Sequence, residues 1–280
     1  MGAVQLRLLP SPQPLVEKLG TGWFRSVPRR PGVYRMYDDT GRLLYVGKAV
    51  DLRARLGSYR RPAGLPGRIR RLVHQVVRIE FELCGDDAAA RLRENELLRT
   101  CRPPFNRAGT WPGTARYVRL GRPDEGTLEV RLAGARQDSD YGAFRAGVAA
   151  AIPAVLRLLW RVLHPGRPVG DLPRELGDGA RTWRLVHPGL PAWTGQLGAY
   201  LAGESPALVG RLLRELPSPE RGFPEAYLAA DLGKAAEFYF RGPERNLGLR
   251  RRGCPERGWL TPEELDDLPW RAGPDPKGHP

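Results

Sequence analysis

The sequence predicts an α/β fold: a small mixed unit followed by a mainly helical region. Three observations carry this. Two short β-rich runs, "GVYRMYD" and "RLLYVG", are separated by the turn residues "DTG". Segments that start on aspartate caps and space their leucines one helical turn apart come next. Beyond residue 140, longer apolar patterns such as "VAAAIPAVLRLLWRVL" take over.

The elements follow in order. The two β-rich runs form a hairpin, because Asp and Gly supply the turn geometry between them. Asp51 caps a helix with Leu52 and Leu56 on its buried side. "PGRIRRLVHQV" is a second short helix, and "VVRIEFEL" alternates as a half-exposed strand does. "DDAAARLRENELLRTC" is a helix capped by Asp86 or Asp87 and ended by "RPP". The first unit is thus β-β-α-α-β-α. "TWPGTAR" at 110–116 is read as a linker, and "YVRL" and "LEVRLAG" as two strands. A long helix is expected at about 146–163, Gly/Pro-rich loops over 164–190, and helices in "TGQLGAYLAGESPALVGRLLREL" and "PEAYLAADLGKAAEFYF". The domain reading is an N-terminal extension at 1–27, the α/β domain at 28–110, a mixed then helical region at 111–250, and an irregular tail at 251–280.

The 280 residues carry a net charge of +14 with a pI near 10.4. Residues 1–110 hold 21 Lys/Arg against 10 Asp/Glu, a net of +11, and residues 111–280 hold 24 against 21, a net of +3. A uniform compositional bias would not load most of the excess onto the first part. A polyanionic partner, most often nucleic acid, is therefore expected there. Arg far outnumbers Lys, which suits bidentate phosphate contacts. Cys84, Cys101 and Cys254 form no CxxC pair and no metal-ligand cluster, which points to a reducing compartment. The N-terminus lacks a signal peptide's apolar core, and the longest apolar stretch is broken by Pro153, Arg157 and Arg161. A cytoplasmic, nucleoid-associated protein is expected.

Phosphodiester cleavage needs an activated water, a means of holding developing negative charge, and usually a divalent metal. A phenol can act as the base where a cation lowers its pKa. Tyr45 stands three residues before Lys48 across the "YVGK" bend, where Gly47 leaves room for a DNA backbone to approach. Arg55 and Tyr59, four apart, share one helix face. Glu94 is flanked at helical spacing by Ala90, Leu97 and Leu98, so it points inward and needs a partner or a metal, whereas Glu96 is solvated. Arg53, Arg60, Arg61, Arg68, Arg70 and Arg71, with Arg55, form an arginine run suited to tracking phosphates. None of the four histidines is given a catalytic role.

Together these residues resemble the GIY-YIG nuclease family, and within it the N-terminal domain of the UvrC excinuclease family. "GVY" at Gly32–Tyr34, "YVG" at Tyr45–Gly47, and "ENELLRTCRPPFN" occur in the family's order and spacing over roughly 28–107. The resemblance implies a three-stranded antiparallel sheet flanked by helices. It also implies that Glu94 binds one Mg²⁺ or Mn²⁺, Tyr45 or Tyr34 activates the water, and Lys48 biases a tyrosine toward phenolate. Arg55 would contact the scissile phosphate, and Tyr59 and Asn106 would complete the site by hydrogen bonding. The near neighbour Lys48 favours Tyr45, but sequence leaves the choice of tyrosine open.

Later segments are similar to the same family more loosely. Tyr141, Gly142 and Phe144 hold the places of a "YFGPF" pattern, and the helix near 228–240 is a degenerate version of one that engages UvrB in the family. The resemblance therefore leaves the UvrA/UvrB partnership open. The family's cysteine-rich stretch has no counterpart, so no iron–sulfur cluster is expected. The architecture resembles the short UvrC homologue Cho, which implies a lesion-directed DNA endonuclease making one incision 3′ to damage. The alternatives are a stand-alone nuclease on branched or foreign DNA, and a non-catalytic DNA-binding module.

Overall fold

A computed structural model describes residues 13–106, 115–145, 147–217 and 223–271, which fall into two compact units. In the first unit, helix α1 (Pro14–Ser26, kinked at Gly20) precedes strands β1 (Gly32–Tyr37) and β2 (Leu43–Ala49). Helices α2 (Leu52–Ser58) and α3 (Gly67–Gln75), strand β3 (Arg78–Leu83) and helix α4 (Asp87–Cys101) follow. The strands form an antiparallel sheet in the order β2-β1-β3.

Local chemistry sets these boundaries. The Asp38 carboxylate accepts from the backbone N–H groups of Thr40 and Arg42, and Gly41 takes φ +82° to close the hairpin. Asp51 and Asp86 cap α2 and α4 by accepting from Ala54 N and Ala89 N. Arg102 ends α4 in the left-handed region.

The sheet separates two apolar layers. Tyr34, Met36, Ala49 and Ile79 pack with Leu52, Leu56, Leu72 and Phe24 on one face. Val33 and Val46 pack with Ala90, Leu97 and Leu98 of α4 on the other. Helix α1, which lies in the predicted extension, is part of this unit: Leu15 and Phe24 are buried, and Lys18 Nζ donates to the carbonyls of His74 and Val76 at the end of α3.

The second unit holds a four-stranded antiparallel sheet in the order β6-β4-β5-β7. Its strands are β4 (Arg116–Gly121), β5 (Thr127–Ala133), β6 (Tyr141–Phe144) and β7 (Thr182–Val186). Helices α5 (Val148–Leu163), α6 (Pro191–Ala202), α7 (Ala207–Glu215), α8 (Phe223–Tyr239), α9 (Arg245–Gly253) and α10 (Pro262–Arg271) complete it. Two expectations are corrected. The stretch 164–190 is not all loop, because β7 alternates buried Trp183 and Leu185 with exposed neighbours. The segment 251–280 is not an irregular tail throughout, because α10 buries Leu265 and Leu268 against Tyr117, Ala143 and Leu249. Most of the predicted linker, 110–114, and the end of that tail, 272–280, lie outside the described residues.

Candidate active site

Strand β2 is an edge strand, and Glu94 and Asn106 meet its free edge while Tyr34, Tyr45 and Tyr59 gather on one face of its sheet. The edge that β1 leaves free offers Leu44 O, the N–H and C=O of Val46, and Lys48 N. Phe105 N donates to Leu44 O. The Asn106 amide pairs with both groups of Val46: Oδ1 accepts from the N–H at 3.0 Å and Nδ2 donates to the C=O at 2.8 Å. Next along the same edge, Lys48 N donates to Glu94 Oε1 at 2.9 Å. The rotation of α4 that buries Ala90, Leu97 and Leu98 brings the Glu94 carboxylate to this edge, 8% exposed. Its second oxygen accepts from Arg91 Nη1 at 2.8 Å.

The phenols lie together on one face of the sheet: Tyr34 from β1, Tyr45 from β2 and Tyr59 from the end of α2. Tyr34 pairs in register with Gly47, and Met36 with Tyr45. The hydroxyls of Tyr34 and Tyr59 are 2.7 Å apart, and Arg55 Nε donates to Tyr34 Oη at 3.2 Å. The Arg55 guanidinium also lies 5.1 Å from the centre of the Tyr59 ring. Tyr34 and Tyr45 are 6.1 Å apart, centre to centre. Tyr34 and Tyr59 are buried, whereas Tyr45 is half-buried.

Burial is the main force on the two inner phenols. It holds Tyr34 well above the usual tyrosine range, helped by the neighbouring Tyr59 and Tyr45 and opposed by Arg55. Burial, with Tyr45 beside it, pushes Tyr59 up to about 12, again against Arg55.

Three sequence expectations change here. Lys48 is not placed beside the Tyr45 phenol. Three positions along a strand put side chains on opposite faces, and the Lys48 ammonium instead meets Asp87 of α4 at 2.6 Å. The cation in contact with the inner phenols is Arg55. Second, the space at Gly47 is not open for DNA: a Cβ there would stand 2.5 Å from Tyr34 Oη and 2.6 Å from Tyr34 Cζ. Third, the arginine run does not form one free phosphate track. Arg53 Nε donates to Val27 O, Arg68 donates to the carbonyls of Pro104 and Asn106, and Arg60 lies over the Phe24 ring. Arg61, before α3, and Arg70 and Arg71, on α3, are exposed.

Comparison with known proteins gives this arrangement its family. The UvrC-like GIY-YIG domain matches residues 30–107. This stretch is a UvrC-like GIY-YIG domain. UvrABC system protein C of Pseudomonas fluorescens strain Pf0-1 is 43% identical over 93 residues, covering 33% of this chain and 15% of that protein. The same protein of Sphingopyxis alaskensis is 48% identical over 82 residues, covering 29% of this chain and 13% of that protein. The chain therefore matches only about a seventh of these curated relatives' length. A crystal structure of the N-terminal endonuclease domain of UvrC from Thermotoga maritima, bound to magnesium as its catalytic cation, is 27% identical. The match covers 30% of this chain and 91% of that one, with a TM-score of 0.28.

The donor set of the GIY-YIG domain suits one hard divalent cation. Mg²⁺ keeps several waters and needs only one or two carboxylates, and Glu94 offers one inward carboxylate at the strand edge. Among the described residues no group of three or more His, Cys, Asp or Glu could hold a metal. A single carboxylate fits one ion better than a two-metal clamp. Sequence reasoning missed Arg91, and saw Asp87 only as a candidate cap; the two engage the side chains of Glu94 and Lys48. Their places on α4, three and seven residues before Glu94, were the available signal, since both positions recur near the Glu94 face of a helix. Among the described residues no helix is long and apolar enough to cross a membrane.

Proposed function

We propose that the GIY-YIG domain makes this chain a metal-dependent DNA endonuclease of nucleotide excision repair, cutting once, 3′ to the lesion. The observation that carries the reading is the convergence on β2: a buried carboxylate at its edge and a tyrosine–arginine cluster on its face. Glu94 would hold one Mg²⁺ or Mn²⁺, which when bound supplies Lewis-acid stabilisation of charge on the phosphoryl oxygens. Arg55 contacts the scissile phosphate, for which its guanidinium has the donors. Tyr45 takes the proton from the attacking water, since it is the one phenol of the three with solvent access. Tyr34 and Tyr59, held neutral by burial, fix Arg55 and Tyr45 by hydrogen bonding. Lys48 keeps α4 against β2 through Asp87, and Asn106 holds the strand edge. Arg61, Arg70 and Arg71 are the members of the arginine run that extend contact along the phosphate backbone.

A stand-alone nuclease acting on branched DNA is the second reading, and one observation favours it. Helix α8, the degenerate counterpart of the UvrB-engaging helix, is committed to the second unit's core through Leu228, Ala235, Phe238 and the buried Asp231. The test incubates the full chain and Mg²⁺ with a lesion-bearing duplex, with and without UvrA and UvrB. One 3′ nick that requires both of them supports the first reading. Nicking of undamaged branched DNA without them supports the second, and no cleavage of either substrate leaves only a DNA-binding module.

A further inference from the structure

We propose that Arg91 is a place-holding cation that competes with the divalent metal for Glu94. The inference rests on Glu94 being the metal ligand and adds a residue that sets how tightly the metal is held.

The Glu94 side chain is 11% exposed and that of Arg91 37% exposed, one helical turn apart on α4. Lys48 N donates to Oε1 of the carboxylate and Arg91 Nη1 to Oε2, so both oxygens are engaged. A backbone N–H satisfies an oxygen lone pair but brings no full charge. The Arg91 guanidinium does bring one, in direct contact with the carboxylate. The Lys48 ammonium is directed to Asp87, at the start of the same helix.

A carboxylate taken out of water needs a cationic or hydrogen-bonding partner. Arg91 supplies it without metal. A divalent cation approaching Glu94 with its hydration shell must share or displace the guanidinium at Oε2, and the two positive charges repel at that range. Metal binding is therefore an exchange of one cation for another. Its apparent affinity is lowered by what the ion pair contributes. The partial exposure of Arg91 gives the displaced side chain a way out toward solvent.

The experiment measures Mn²⁺ binding to the full chain by calorimetry, alongside thermal unfolding with and without Mn²⁺. The variants are Arg91→Leu, Arg91→Lys and Glu94→Gln. Arg91→Leu should bind Mn²⁺ about fivefold to tenfold more tightly, the size of a partly buried ion pair. Arg91→Lys should fall between it and the wild type. Arg91→Leu should also unfold at lower temperature without metal, and saturating Mn²⁺ should restore most of the difference. A merely structural role for Arg91 would not be restored. Unchanged or weaker Mn²⁺ affinity in Arg91→Leu, with binding lost in Glu94→Gln, overturns the place-holder alone. Wild-type Mn²⁺ affinity in Glu94→Gln overturns the metal assignment itself, and the place-holder with it.

Discussion

The phenol of Tyr34 lies across Gly47, its partner in the neighbouring strand, and fills the space where a side chain at 47 would stand. Tyr34 is fully buried and its hydroxyl is held by Tyr59 and Arg55, so it has little freedom to move aside. Gly47→Ala would put a Cβ 2.5 Å from that hydroxyl and 2.9 Å from Tyr45 Cε1. Overpacking of this kind costs about 1–3 kcal/mol. We expect Gly47→Ala to lower stability by that amount in urea unfolding and to lose DNA nicking. Binding of Mn²⁺ at Glu94, which meets the strand edge rather than this face, should persist. Wild-type nicking by Gly47→Ala would show that the phenol cluster tolerates displacement.

The inner phenols make a prediction for alkaline pH. Tyr34 is held well above the usual value, and Tyr59 is pushed up to about 12, by burial first in both cases. An unfolded chain releases these protons near pH ~10, whereas the folded chain keeps them. The native state therefore binds more protons than the unfolded state above that pH, and stability must fall as pH rises. The contribution is complete below about pH 10 and is lost toward about pH 12 and beyond. The difference in phenolate absorbance between wild type and Tyr59→Phe should show a transition near about pH 12. The alkaline loss of stability should be smaller in Tyr59→Phe. A difference transition centred near pH ~10 would mean that Tyr59 is solvated.

These relationships were legible in the sequence to different depths. The order of elements in the first unit could be read because its signals are local: "DTG" at the hairpin, where the carboxylate that closes the turn is Asp38 just before it, and Asp51 and the Asp86/Asp87 pair at helix starts. Glu94 could be placed inward because helical spacing is local too. The partner of Lys48 is not legible from its nearness to Tyr45 across "YVGK", because that stretch is continuous strand and three positions along a strand put side chains on opposite faces. The tasks of Arg53 and Arg68 were hidden because their acceptors are backbone carbonyls distant in sequence, which no residue type announces. Strand β7 escaped notice as five residues set among Gly and Pro, and α1 because Gly20 interrupts its helical pattern.

Asn106 should be a stability residue as much as a site residue. Its amide supplies one donor and one acceptor to Val46, as a neighbouring strand would, and so covers part of the open edge of β2. Asn106→Ala loses both bonds and leaves the Val46 groups to find water, an effect of about 1–3 kcal/mol. Asn106→Asp keeps the acceptor but turns an anionic oxygen toward Val46 O. It should be at least as destabilised at neutral pH and recover on acidification, when the carboxyl can donate again. Thermal unfolding of the three proteins at about pH 4 and about pH 7, either side of carboxyl protonation, checks this. A pH-independent Asn106→Asp defect would count against the pairing.

In the second unit, α5 and α8 are tied by a buried ion pair whose strength can be isolated. Arg157 Nε and Nη2 donate to the two Asp231 oxygens, each at 2.7 Å, and Nη1 donates to Leu176 O at 2.9 Å. Arg157 is 3% exposed and Asp231 fully buried. Asp231 also meets Lys234 at 3.3 Å, and Arg157 meets the exposed Asp178 at 3.1 Å. Removing one partner leaves an uncompensated charge in the interior, which costs about 3–5 kcal/mol, whereas replacing both with apolar groups is often close to neutral. Asp231→Leu alone should therefore be severely destabilising, and Arg157→Met nearly as much, moderated by Lys234 beside the surviving carboxylate. The double variant should be more stable than either single one. Urea unfolding of all four proteins closes the cycle and yields the coupling energy directly. Additive single effects would mean that the two side chains are held by their surroundings rather than by each other. In that case Leu176 O and Asp178, not Asp231, would be what fixes the Arg157 guanidinium.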